Sequence, residues 1–179
     1  MYRYAQSRKI PKIKNHAKQI HAKQIHDLII EFKNERKQGI DWAYRILNRI
    51  LSDQKFILTC VPGHSASKSS SGMKKVISDL THNSNRINGS TIFHRHKTIE
   101  KRTHQYSDRS IGVHLDSIRL QNINDYPRIP VLILDDVETT GNSLAACVDF
   151  LQQEGFSQVK TLVLGKTLKS TEAYQVYSI

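Results

Sequence analysis

The sequence predicts an α/β protein. A mostly parallel sheet of about five strands, flanked by helices, is expected over residues 56–179, with a basic helical extension over residues 1–55. Three observations predict it. Val131-Leu132-Ile133-Leu134 is an unbroken apolar run after Pro130, the pattern of a strand buried on both faces in a parallel sheet. Phe56-Ile57-Leu58-Thr59-Cys60-Val61 and Val159 to Leu164 are similar runs, separated by spans long enough for crossover connections. Between the last two runs, Leu144, Cys147, Val148 and Leu151 recur at the spacing of one helix face.

Residues 1–15 are basic, contain Pro11 and read as an arm. A five-residue duplication follows, His16 to Ile20 and His21 to Ile25, and then His26. A step of five residues turns a helical side chain by about 140°, so the three histidines point three ways and form no single metal site. Residues 16–38 suit one helix, with Ile25, Leu28, Ile29 and Phe32 as its stripe and Gly39 as its stop. Asp41 is placed to cap a second helix carrying Trp42, Ile46, Leu47, Ile50 and Leu51. Charge concentrates here. Residues 1–55 hold 13 Lys or Arg against 5 Asp or Glu, a net of +8, whereas residues 56–179 hold 14 against 11, a net of +3. Residues 1–37 could therefore contact nucleic acid, because Lys and Arg neutralise phosphates and release counterions. A solvated basic surface, or a protein partner, fits the same composition.

After the first core strand comes Pro62-Gly63-His64-Ser65-Ala66-Ser67-Lys68, a loop of small and hydroxylic residues ending in a cation, suited to an oxyanion. A helix from about Gly72 to Leu80 and a strand over Ser90–Phe93 are expected next. The stretch from His94 to Arg109 is polar and long for a connection inside a compact domain. Its histidines, His94, His96 and His104, show no ligand spacing for a closed metal site. Ile111 to Leu120 partly alternates, as a strand or hairpin arm would. Asp135 and Asp136 then stand at the carboxyl end of the Val131 strand, where open α/β sheets bind ligands. In the turn that follows, Thr139, Thr140, Gly141, Asn142 and Ser143 can offer amides and hydroxyls to an anion at a helix N-terminus. A phosphate cradle beside two carboxylates able to hold sugar hydroxyls is the chemistry of a ribose 5-phosphate site. Gly155 is the expected stop of the helix.

Val131 to Ser143 resembles the 5-phosphoribosyl-1-diphosphate (PRPP) signature of the type I phosphoribosyltransferases, most closely the competence-protein-F-like and amidophosphoribosyltransferase-like branch. The likeness extends to Lys166, and more loosely over residues 60–130; the first 55 residues have no counterpart in it. The resemblance implies the type I phosphoribosyltransferase fold and Mg²⁺-dependent displacement of pyrophosphate at C1 of PRPP by a nitrogen acceptor. By position, Asp135 and Asp136 would hold the ribose hydroxyls, and Thr139 to Ser143 the 5-phosphate. Gly63, His64, Ser65 and Lys68 would hold the diphosphate. A flexible basic loop would supply the cation that meets the departing charge, with Lys97, Lys101, Arg102 and Arg109 available. Mg²⁺ would be bound mainly through PRPP rather than by a protein cage.

The chain departs from the purine-salvage pattern at Thr139, where those relatives often carry an aspartate that handles a base proton. Glu138 is an added carboxylate beside the cradle. Cys60 and Cys147 are the only cysteines and read as buried thiols. There is no Gly-x-x-x-x-Gly-Lys and no Gly-x-Gly-x-x-Gly, which disfavours a P-loop or dinucleotide-binding domain. No 18-residue apolar run or signal-peptide pattern is present, so a cytoplasmic location without membrane association is expected. The alternative to a transferase is a PRPP-fold regulatory or interaction protein. A nucleic-acid-associated bacterial defence component of the retron type is its narrowest form.

Overall fold

The computed structural model describes residues 2–4, 16–67, 71–99 and 110–167. Four strands form a parallel core: β2 (Ile57–Cys60), β3 (Ile87–Asn88), β6 (Val131–Glu138) and β7 (Val159–Thr167). A fifth, β1 (Tyr2–Tyr4), pairs with the far end of β7, giving the order β1-β7-β6-β2-β3. The chain thus moves outward from β2 to β3, then returns to the other side of β2 for β6 and β7. This reversal between β2 and β6 is the place where a crevice opens at the carboxyl ends of strands.

Helices cover both faces. On one, α2 (Lys37–Ile50) and α3 (Gly72–Thr81) bury Ile40, Ala43, Leu47, Val76 and Ile77 against Leu58, Cys60, Leu134 and Leu164. On the other, α5 (Asn142–Gln153) sets Leu144, Cys147 and Leu151 against Ile57, Ile133 and Val163. That second face is extended by a separate antiparallel pair, β4 (Phe93–Arg95) with β5 (Ile118–Leu120). Phe93 and Ile118 join its core. The apolar runs of β2 and β6 are therefore buried on both sides, as continuous hydrophobicity requires.

Several boundaries differ from the sequence reading. The first helix, α1 (His16–Lys33), stops before residue 38, and Gly39 is not its stop. Arg36 N–H donates to Glu31 O at 3.0 Å and Glu35 N–H to Phe32 O at 2.9 Å, with Glu35 at φ 56. This is a Schellman ending with glutamate in the left-handed position usually held by glycine. Gly39 lies inside α2, where a Cβ would collide with the backbone at Glu31 and Phe32, so glycine serves close approach. Asp41 lies within α2, whose N-cap is Arg36, without a side-chain cap bond. Tyr2–Tyr4 is a strand where an arm is expected; residues 5–15 lie outside the described residues.

The strand expected over Ser90–Phe93 divides into β3 before it and β4 at its end. Asn88 Oδ1 accepts from Ser90 N–H at 3.0 Å, an Asx-type turn that leads the chain off the main sheet. Ile111–Ser117 is a helix, α4, and only Ile118–Leu120 is strand. His114 and Ser117, three residues apart on one helix face, are the residues it buries.

Candidate functional site

β2 ends at Cys60, opposite Leu134, while β6 continues to Glu138 alongside β7. Asp135 and Asp136 therefore lie within β6 rather than after it. They occupy the segment that keeps a strand neighbour on one side only. The vacant side opens into a cleft of about 470 Å³. Its lining includes Gly63, His64, Ser65, Asp135 and Asp136, so residues about 70 positions apart in sequence meet at one place.

The acidic pair is held by its own backbone. Asp135 Oδ1 accepts from Asp136 N–H at 2.8 Å, and Asp136 Oδ1 from Val137 N–H at 2.6 Å. Burial, and next the Asp136 charge, raise the Asp135 pKa well above the ordinary carboxylate value. Lys33 at the end of α1 lies 3.9 Å from Asp136 Oδ2 and pulls the Asp135 value back in part. A hydrogen-bond-donating or cationic ligand at this pair would favour the ionised form of Asp135.

Beyond Asp136 the turn is set locally. Gly141 adopts φ 80 and ψ −5, immediately before α5, and its carbonyl accepts from Ala145 N–H at 2.9 Å. This places the start of α5, with Asn142 and Ser143, directly after the hydroxyl-bearing Thr139 and Thr140. Those turn residues stand beside the cleft rather than in its lining. Glu138 is tied across the sheet to Lys166, Nζ to Oε1 at 2.6 Å, so the extra carboxylate is neutralised from β7.

The loop after β2 is set by distant partners. Arg95, only 3% exposed, donates to Gly63 O at 2.5 Å and Pro62 O at 3.4 Å. It also donates to Ser117 Oγ at 2.5 Å. Ile99 N–H donates to His64 O at 2.9 Å, and Ala66 N–H to Thr98 Oγ1 at 3.0 Å. The antiparallel pair and its outgoing segment therefore hold the loop.

Lys68, Lys101, Arg102, Arg109 and His104 lie outside the described residues. Lys97 is engaged by Asp116 at 2.8 Å. Sequence reasoning missed Arg95, Lys33 and Lys74, all of which line the cleft. Arg95 sits in a polar run with no pattern to single it out, and the two lysines follow helix stripes that point only to packing. Cys60 is pushed up to about 12 by burial, and Cys147 is raised by the same cause, so both are poor nucleophiles. Among the described residues no three His, Cys, Asp or Glu side chains gather as a metal site, and no helix is long and apolar enough to cross a membrane. No protein-family model and no curated protein matches the chain.

Proposed function

We propose that this protein binds PRPP across the carboxyl ends of β2 and β6 and acts as a type I phosphoribosyltransferase-like enzyme with a nitrogen acceptor. The observation that carries this reading is the meeting of Gly63–Ser65 with Asp135 and Asp136 in one cleft at the switch point. The left-handed Gly141 opening α5 lies a few residues on.

Asp135 and Asp136 accept hydrogen bonds from the ribose 2- and 3-hydroxyls and orient C1. The turn from Thr139 to Ser143 and the positive end of α5 take the 5-phosphate. Amides of Gly63, His64 and Ser65 take the diphosphate. The C1–N bond forms as the C1–O bond breaks, and the electron pair leaves with the diphosphate. Donors fixed in advance on that oxyanion lower the barrier most, because they interact more strongly as its charge grows. Asp135 and Asp136 would hold Mg²⁺ carried by the ligand through its hydroxyls and water. Bound there, it would neutralise diphosphate charge. Threonine at position 139 removes the base-handling carboxylate of purine-salvage enzymes, which points away from hypoxanthine and guanine as acceptors.

Thermal unfolding with PRPP and Mg²⁺ tests the site. Ligand at about a hundred times its Kd stabilises by roughly 2.7 kcal/mol, an upward shift on the order of 5–10 °C for a chain of this size. Wild type is expected to show this shift and Asp135→Asn/Asp136→Asn to lose it. Absence of a shift in the wild type would sink the site. A shift without pyrophosphate release across an acceptor panel would leave a binding protein and not an enzyme.

A second reading rests on Lys23, Lys37, Arg45 and Arg49, all exposed on α1 and α2. Such a surface suits nucleic acid, in a regulatory or retron-type defence role. Steeply salt-dependent RNA or DNA binding, lost when Lys37, Arg45 and Arg49 are neutralised, is its expected signature.

A further inference from the structure

We infer that Arg95 is a positioning residue that sets the direction of the peptide groups in the Pro62–Ser65 loop for a diphosphate. This rests on the reading of that loop as the diphosphate site. Three consecutive carbonyls, those of Pro62, Gly63 and His64, are turned onto one segment: the first two bond to the Arg95 guanidinium, the third to Ile99 N–H. In a trans peptide the carbonyl and the following N–H point in opposite directions. No cis peptide occurs among the described residues. The N–H groups of Gly63, His64 and Ser65 are therefore turned away from the Arg95 segment. Among the described residues nothing lies within 4 Å of the position a Gly63 Cβ would take, so these residues leave an anion room to approach the backbone there. The guanidinium is fixed from behind, because Ser117 Oγ accepts from it and donates in turn to Val113 O at 2.6 Å. A cation on the carbonyl side also polarises these peptide units and strengthens their N–H groups as donors.

A second buried arginine gives the control. Arg86, 8% exposed, donates to the carbonyls of Leu51, Ser52 and Leu80, and so ties helix ends and a connection that do not line the cleft. Lysine at either position keeps the charge but replaces the rigid, planar fork of donors with one compact ammonium.

Binding of Mg²⁺–pyrophosphate and of ribose 5-phosphate is measured separately, by calorimetry, on wild type, Arg95→Lys, Arg95→Gln and Arg86→Lys. Both Arg95 variants are expected to lose about ten-fold or more in pyrophosphate affinity and to hold ribose 5-phosphate within about two-fold. Arg86→Lys is expected to lower Tm with both affinities unchanged. Unchanged pyrophosphate binding in the Arg95 variants, an equal loss for both ligands, or the same selective loss in Arg86→Lys overturns the inference. Failure of both Arg95 variants to fold assigns the residue to the fold and overturns it too. A wild type that binds neither ligand removes the site reading itself, and this inference with it.

Discussion

The two arms of the cleft are built by opposite means. The turn from Thr139 to Ser143 is made mainly from its own sequence, by a left-handed glycine and a helix start, and its one tie from another strand is the ion pair of the preceding Glu138 with Lys166 of β7. The Pro62–Ser67 loop is made by residues about 32 positions away, through Arg95, Thr98 and Ile99. A locally encoded turn keeps its shape when distant packing loosens, whereas a loop held by long-range bonds follows the elements that supply them. The difference separates a turn that depends mainly on β6 and α5 from a loop that requires the more distant elements to be in place.

The largest effect expected to sharpen this contrast comes from Gly141. A Cβ there would make only ordinary contact with the Glu138 side chain, 3.8 Å away, but would adopt a strained φ, so Gly141→Ala should cost about 1–2 kcal/mol, a fall in Tm on the order of 2–8 °C. Gly155, at φ 86 beyond the end of α5, provides the comparison. Gly155→Ala should lower Tm similarly while leaving ribose 5-phosphate binding intact, whereas Gly141→Ala should weaken it. Equal binding by the two variants would break the assignment of the turn.

A smaller effect of opposite sign is expected at Asp135. Its folded-state pKa is raised by burial, so its favourable contribution is complete below the unfolded carboxylate value and is lost as pH rises through the folded value. The cost of ionising the buried group in the fold therefore grows as pH rises above the unfolded carboxylate value. Asp135→Asn keeps the acceptor for Asp136 N–H and should raise the Tm of the ligand-free protein by about 2–4 °C per kcal/mol relieved. The gain should shrink as pH falls toward 4. A Tm gain that does not change with pH would show that charge is not its cause.

The smallest effect belongs to the long-range arm. Thr98→Val removes the acceptor for Ala66 N–H in an exposed bond, at a cost of about 1 kcal/mol or less. Global Tm should hardly move, but hydrogen exchange at Ala66 should quicken. Unchanged exchange would mean that Arg95 and Ile99 hold the loop without it.

The sequence by itself determined the α/β class, the buried strands over Ile57–Cys60 and Val131–Leu134, the helix after Ser143 and the acidic pair beside a glycine turn. These features are written in nearest neighbours and in short periodicities, which respond to burial and backbone sterics alone. It did not determine that α1 would end at Lys33 with a left-handed Glu35 beyond it, where Gly39 brings α2 against the backbone of Glu31 and Phe32. Nor did it separate β3 from β4, or helix from strand across Ile111–Leu120, where each segment is too short for its own pattern to decide. Only the tertiary structure placed Lys33 near Asp136 and Arg95 behind Gly63. Those contacts join residues about 30 to 100 positions apart, and a charged side chain carries no mark in sequence of the distant group it will meet.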